Sequence, residues 1–335
     1  MGITIVGSLN YDLVTYTDRV PDSGETFRAN HFETHAGGKG LNQTIATARM
    51  KDPKANYKVK MVGNVGKDSF GEQLLDILRK NNVDVANVGI LPNVMTGIAT
   101  ILVEQKDGSG QNRIIITQGA NGKSTYESGK LENIFPTDSS DRKQMVIFQQ
   151  EIPNPTSIIH WLNKNRPTYE IVFNPSPFEP ISAEDWHLVD VLIVNEVEAV
   201  QILETIYNNE EIKNYKSAIE KDFVEGYEKI CSVLQKTLVS QSKSAIVVTT
   251  LGSKGALFCS KDHPTVGFVP SCKVDSIVDT TGAGDTFLGS LVTQLYQGQD
   301  LEKAMKFSTV ASSLSIQKRG AAESMPTFED VQSSF

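Results

Sequence analysis

Val191-Leu192-Ile193-Val194, followed without a break by Asn195-Glu196-Val197-Glu198, decides the fold. The first four residues form a short apolar run without polar alternation, and the next four mark the end of a strand and the start of a helix over 196–205. Working outward in both directions, similar runs lie at 58–63, 145–149, 170–173 and 245–250. Helical patterns lie at 71–80 and 155–165. Strands without strict alternation, separated by amphipathic helices, predict a parallel sheet covered on both faces, an α/β core of the doubly wound kind. Gly2-Ile3-Thr4-Ile5-Val6-Gly7-Ser8 reads as the first strand of this core. It lacks the basic and long apolar regions of a signal peptide, and no run of about 18 apolar residues occurs, so the expectation is a soluble, cytoplasmic chain without a membrane partner. No basic cluster speaks to a nucleus.

Two stretches, about 12–36 and 96–119, interrupt this rhythm with strand-like patterns and no helix. In the second, 97–105 and 111–118 flank Asp107-Gly108-Ser109-Gly110, a hairpin with a glycine-rich turn. Length alone, 335 residues, would allow roughly two domains. The interruptions instead predict one large domain, 1–335, with a small β-sheet inserted over it as a lid. The Lys/Glu-rich segment 205–244 reads as one or two solvent-facing helices without a chemical role.

Lys and Arg number 32 against 40 Asp and Glu, a net charge of −8. That sign opposes binding to a phosphate backbone and removes nucleic acid from the expected partners, although a local cluster can still hold a small anion. Cys231, Cys259 and Cys272 show no CxxC spacing, so neither a zinc ribbon nor a disulfide framework is indicated.

The strongest chemical signal is Asp279-Thr280-Thr281-Gly282-Ala283-Gly284-Asp285-Thr286-Phe287, ahead of an amphipathic stretch at 288–296. Glycines just before a helix uncover backbone N–H groups, and the helix dipole adds positive potential, which makes an anion hole. Asp285, in the first turn, is placed to accept a proton from a hydroxyl while those N–H groups hold a moving phosphoryl group. A second glycine-rich element, Ala36-Gly37-Gly38-Lys39-Gly40-Leu41-Asn42-Gln43, leads into a helical pattern and offers a charge at Lys39 and a sugar-binding amide at Asn42. Thr250-Leu251-Gly252-Ser253-Lys254-Gly255 follows a strand as Asn195 does, at the edge where open sheets bind ligands. Gly119-Ala120-Asn121-Gly122-Lys123-Ser124 imitates a phosphate-binding P-loop, but Thr117 stands where the first glycine is required. His31 and His35 do not form HExxH and read as packing or surface residues.

The pairing of Gly-Gly-Lys-Gly-x-Asn at 37–42 with Asp-Thr-Thr-Gly-Ala-Gly-Asp at 279–285 closely resembles the ribokinase-type carbohydrate kinase family. The resemblance runs from Gly7-Ser8-Leu9-Asn10-Tyr11-Asp12 to Lys318-Arg319-Gly320-Ala321. Asn10, Asp12, the intact loop at 38–42 and Phe148-Gln149-Gln150-Glu151 place it, within that family, beside the members acting on D-ribose rather than on fructose or adenosine. The resemblance implies transfer of the ATP γ-phosphoryl group to the 5-hydroxyl of D-ribose. By similarity, Asn10, Asp12, Gly38, Lys39, Gly40, Asn42 and Glu151 hold the sugar; Leu41 departs from the small residue expected there and is expected to tighten the pocket. Asp285 is the base, and Gly282, Ala283 and Gly284 form the anion hole. ATP lies along Asn195, Thr250, Leu251, Gly252, Ser253, Lys254, Gly255, Gly284, Asp285 and Thr309. Glu198, with Glu196 a weaker candidate, positions Mg2+ through water. A K+-like cation sits at Asp279, Thr281, Ser315, Lys318, Gly320 and Ser324, and the resemblance further implies a homodimer through the lid. Another sugar or nucleoside kinase is the alternative within the class, and a non-catalytic sugar sensor the alternative outside it.

Overall fold

The computed structural model describes residues 2–106, 109–137, 143–239 and 241–335. The strands are β1 Gly2–Val6, β2 Asn10–Thr17, β3 His31–Gly37, β4 Lys58–Gly66, β5 Asp84–Leu91, β6 Gly97–Lys106, β7 Ser109–Thr117, β8 Gln144–Phe148, β9 Tyr169–Phe173, β10 Val191–Asn195, β11 Ile246–Thr250, β12 Gly255–Cys259 and β13 Gly267–Pro270. Nine of them form one sheet in the order β13-β12-β11-β10-β9-β8-β1-β4-β5. All its pairings are parallel except the two made by β12.

Successive strand side chains point to opposite faces, and that alternation splits the core in two. Ile3, Ile5, Met145, Ile147, Val191 and Ile193 pack on one face with Leu41, Ile45, Leu74, Leu288 and Leu291. Val6, Val146, Phe148, Leu192 and Val194 pack on the other with Ile158, Leu162, Ile202, Ile230 and Leu234. Helices therefore cover both faces, as the continuous apolar strands require. No helix among the described residues is long and apolar enough to cross a membrane.

The strand order turns at β1, with β4 and β5 to one side and β8 through β13 to the other. Parallel pairing then lines up the carboxyl ends of β1, β8, β9, β10 and β11 along one edge, the general location of ligand crevices in such sheets. Strands β3-β2-β6-β7 form a separate small sheet, parallel at its centre between β2 and β6 and antiparallel at both outer pairs. Only Gly7-Ser8-Leu9 separate β1 from β2, so the root of the small sheet lies at that same edge. The hairpin tip Asp107-Gly108 lies outside the described residues.

The segment 205–244 differs from its expected form. Helix Asn209–Lys221 buries only Ile212 and is solvent-facing, but helix Phe223–Leu234 buries Tyr227, Ile230, Cys231 and Leu234. The two helices cross at Gly226, where a Cβ would approach the Ile219 backbone to 2.6 Å. Strand β5 escapes the sequence patterns because it is an edge strand of mixed exposure.

Candidate active site

Two helices that open on glycine meet at the crevice. Helix Lys39–Arg49 begins after Gly38 at φ 87°, and helix Ala283–Tyr296 after Gly282 at φ 75°. Both values lie where only glycine sits without steric cost. The helices touch through Gly289, whose Cβ, if present, would lie 2.5 Å from that of Ala46. This approach delivers Asn42 and Gln43 to Asp285: Asn42 Nδ2 donates to Oδ2 at 3.1 Å and Gln43 Nε2 to Oδ1 at 3.0 Å.

A cavity of about 150 Å³ is lined by Lys39, Asn174, Ser176, Asn195, Glu198, Thr250, Gly282, Gly284, Asp285 and the apolar Ile193, Val194 and Leu288. Burial works against the Lys39 charge, but Asp285, Glu151 and Glu198 outweigh it and hold the ammonium above the ordinary lysine range. Among the described residues no acceptor lies on the N–H groups of Gly282, Gly284 and Asp285, and the helix has no side-chain cap. A Cβ on Gly284 would meet nothing within 4 Å. Unspent donors facing open space at a positive helix end make a receptor for an anion.

The residues expected to hold a sugar cluster one step away, at the root of the small sheet. Asp12 packs against Gly37, where an added Cβ would come within 2.2 Å of its carboxylate. Burial first, and the neighbouring Glu151 carboxylate second, push the Asp12 carboxyl up to about 7, with His35 partly offsetting them. Asn10 is buried and accepts from Asn121 at 2.7 Å. Asn42 Oδ1 is buried with no partner. An orphaned buried acceptor is costly unless a ligand donates to it, and a sugar hydroxyl is such a donor.

Other expected residues fall elsewhere. Leu41 is fully buried in the core, does not line the cavity, and donates its N–H to Ser8 O at 2.9 Å, so its side chain serves packing rather than a sugar pocket. Leu251 is likewise a core residue. Gly252, Ser253 and Lys254 form an exposed turn beyond Thr250, with Gly255 starting β12. Thr309 is buried and its hydroxyl bonds its own helix at Met305. Glu196 does not line the cavity, whereas Glu198 does, with Oε2 accepting from Asn195 N at 3.0 Å. Of the six residues proposed for a monovalent cation, Ser315 ends helix Leu301–Ser315 and the other five lie on adjoining loops and turns, joined where Val278 and Asp279 donate to Ile316 O. Asp279 already accepts from Thr281 and Gly320, and these bonds hold its carboxyl below the usual range against the effect of burial. Lys318 is exposed, clear of the turns' interior.

Four neighbours of these residues had no role assigned from sequence, although Ser8, Gln43 and Gln149 lie within the quoted motifs. Gln43, Gln149 and Asn174 form a polar chain to Asp285, and Ser8 donates to Glu151 in a short contact. Glu151 Oε2 also accepts the Lys39 N–H at 2.8 Å, capping that helix. The P-loop imitation at 119–124 is structural: Asn121 brackets the Leu9 backbone at 2.9 and 3.0 Å.

Comparison with known proteins decides what this arrangement belongs to. The model of the pfkB family carbohydrate kinases matches residues 2–328. The chain belongs to that family. Among curated pfkB-type relatives, a ribokinase of Schizosaccharomyces pombe is 34% identical over 338 residues, covering 100% of this chain and 98% of the relative. Among solved structures, ribokinase from Cryptococcus neoformans in complex with ADP superposes with a TM-score of 0.81 at 28% identity, covering 100% and 99% of the two chains. Arabidopsis thaliana ribokinase complexed with ribose and ATP superposes at 0.79 and 28%, covering 99% and 97%. Membership of the family makes the chain a carbohydrate kinase with a mostly parallel sheet, its helices, and a small separate sheet.

Proposed function

We propose that this chain transfers the γ-phosphoryl group of ATP to O5 of D-ribose, giving ribose 5-phosphate and ADP. The observation that carries the reading is the open start of helix Ala283–Tyr296: N–H donors without acceptors beside a carboxylate held at both oxygens. Phosphoryl transfer needs little else from a protein than a positioned acceptor and charge stabilisation. Asp285 takes the proton of the sugar hydroxyl, and Gly282 and Gly284 supply the open donors of the hole that holds the transferring oxygens, the Ala283 N–H being turned to Thr280 O at 3.2 Å. Asn10, Asp12, Gly38, Gly40 and Asn42 bind the sugar, with Glu151 bracing the loop, and Lys39 sits between sugar and phosphate.

ATP lies from Asn195 and Thr250 toward the turn 252–255. Glu198, a buried carboxylate with one oxygen uncommitted, fits a water-mediated Mg2+ site. Mg2+ supplies neutralisation of phosphate charge there. The turns at 279–281 and 315–324, with the Asp279 side chain committed internally, fit a monovalent cation held mainly by backbone carbonyls.

The small sheet acts as the lid, closing over the sugar so that water does not compete as acceptor. Consecutive strand residues face opposite ways, and Ile114, Ile115 and Ile116 are all exposed on the edge strand β7. Such an uncovered apolar edge supports pairing of two copies through their lids.

A coupled ADP-release assay with ribose, deoxyribose, fructose and adenosine tests the substrate. Ribose should give the highest kcat/KM; equal or better turnover of any other acceptor removes the ribose assignment.

A further inference from the structure

Gln43, inside helix Lys39–Arg49, is fully buried and spends every polar atom of its amide. Its orientation is dictated from the far end of the chain of contacts. Ile193 O, a carbonyl, can only accept, so the Asn174 amide must turn its Nδ2 toward it, at 3.0 Å. Asn174 Oδ1 therefore faces Gln43 Nε2 at 3.1 Å, and the second N–H of Gln43 points at Asp285 Oδ1 at 3.0 Å. Gln149 Nε2 closes the set by donating to Gln43 Oε1 at 2.7 Å. The end of β10 thus fixes, through two amides, one oxygen of a carboxylate on a helix from another part of the chain.

The two oxygens of Asp285 are not equivalent. Oδ1 is tied to this buried chain, while Oδ2 is tied to Asn42, whose own Oδ1 lacks a partner. We infer that Gln43 is a positioning residue that anchors Asp285 Oδ1, leaving Oδ2, on the Asn42 side, as the atom that receives the acceptor hydroxyl's proton. The inference rests on the kinase reading above. In the step itself the O–H bond of the acceptor breaks, its proton passes to Oδ2, and the freed oxygen bonds to phosphorus as the bond to ADP breaks. Gln43 exchanges no proton and touches neither substrate. A carboxylate released from such an anchor rotates about its side chain, and loss of alignment on the scale of an ångström costs up to about a hundredfold in rate.

Gln43→Met keeps the length and removes the donors. The expected result is a fall in kcat of at least about tenfold, with the ribose Kd by calorimetry and the KM for ATP within about threefold of wild type. In the Asp285→Asn background the same substitution should lower the residual rate by less than about twofold, because the anchored group is gone. Wild-type kcat in Gln43→Met, or parallel losses of kcat and ribose affinity, overturns the inference. An equal loss with and without Asp285 does so as well. Should Gln43→Met not fold, Gln149→Met carries the test, since it frees Gln43 Oε1 without touching Asp285; a kcat loss dependent on Asp285 supports the anchor and an unchanged kcat overturns it. Wild-type protein without turnover on ribose would instead sink the kinase reading, and is scored separately.

Discussion

The two glycine-opened helices look alike in sequence and are opposite in use. At helix Lys39–Arg49 the protein consumes its own N-terminal donors: Lys39 N goes to Glu151 and Gly40 N to Ser8 Oγ at 3.3 Å. At helix Ala283–Tyr296 only Ala283 N is spent, on Thr280 O at 3.2 Å, and among the described residues the donors of Gly282, Gly284 and Asp285 are left open. Elsewhere, Asp68, Ser182, Asn195, Asn208, Asp222, Asp300 and Thr327 cap their helices with side chains. Helices Ser128–Ile134 and Pro155–Asn165 also lack a side-chain cap. Capping stabilises a helix by roughly 1 kcal/mol, and of these starts only that of Ala283–Tyr296 lines the crevice beside a buried carboxylate, Asp285. The comparison separates a helix end whose donors the protein satisfies itself from one whose donors it leaves open.

The largest test of that separation is Asp285→Asn, which should lower kcat by about a thousandfold, mid-range for removing a positioned base, while calorimetry still detects ribose and ATP. Wild-type turnover in that variant would break the assignment of the open end. Next comes one substitution made at both ends. Gly284→Ala adds a methyl to empty space in a helix, where alanine is favoured by about 1 kcal/mol, so Tm should hold or rise. Its kcat/KM for ATP should nevertheless drop at least about tenfold, because the methyl occupies the anion's space. Gly40→Ala drives a Cβ to 2.5 Å from Ser8 N and should cost about 1–3 kcal/mol in denaturant unfolding. If both variants lose stability equally, the ends are not different in kind.

The smallest effect concerns Asp12, on the closed side. Its carboxyl titrates at about 7 in the fold, against an ordinary value of about 4, so between those limits the native state holds the extra proton. Stability is therefore lost as pH rises through that window. Asp12→Asn should raise Tm little near pH 5 and most near pH 8, in scans without ligand; a pH-independent shift would show that Asp12 ionisation is not what strains the lid root.

Much of this was legible in residue order. The strand run at 191–194 and its repeats carry the parallel sheet, because burial on both faces leaves no polar position in a strand. Gly282, Gly284 and Asp285 announced an anion receptor for the same local reason: helix starts are built from consecutive residues. The contacts of Gln43, Gln149 and Asn174 were invisible even though the first two stand in quoted motifs, since an amide looks the same in sequence whether it faces water or a carboxylate more than a hundred residues away. Helix Phe223–Leu234 was misjudged because its charged residues outweighed the narrow stripe that it buries.

The sequence by itself thus determined the fold class and the two glycine-rich helix starts, both of which depend on short-range backbone geometry. Only the tertiary structure decided that Glu151 closes one start while the other stays open, that Leu41 belongs to the core, and that Asp285 is held at Oδ1 through β9 and β10. Those outcomes depend on which groups a parallel sheet brings to one edge. Hydrogen bonds between residues distant in the chain are set by that packing, and no local pattern encodes it.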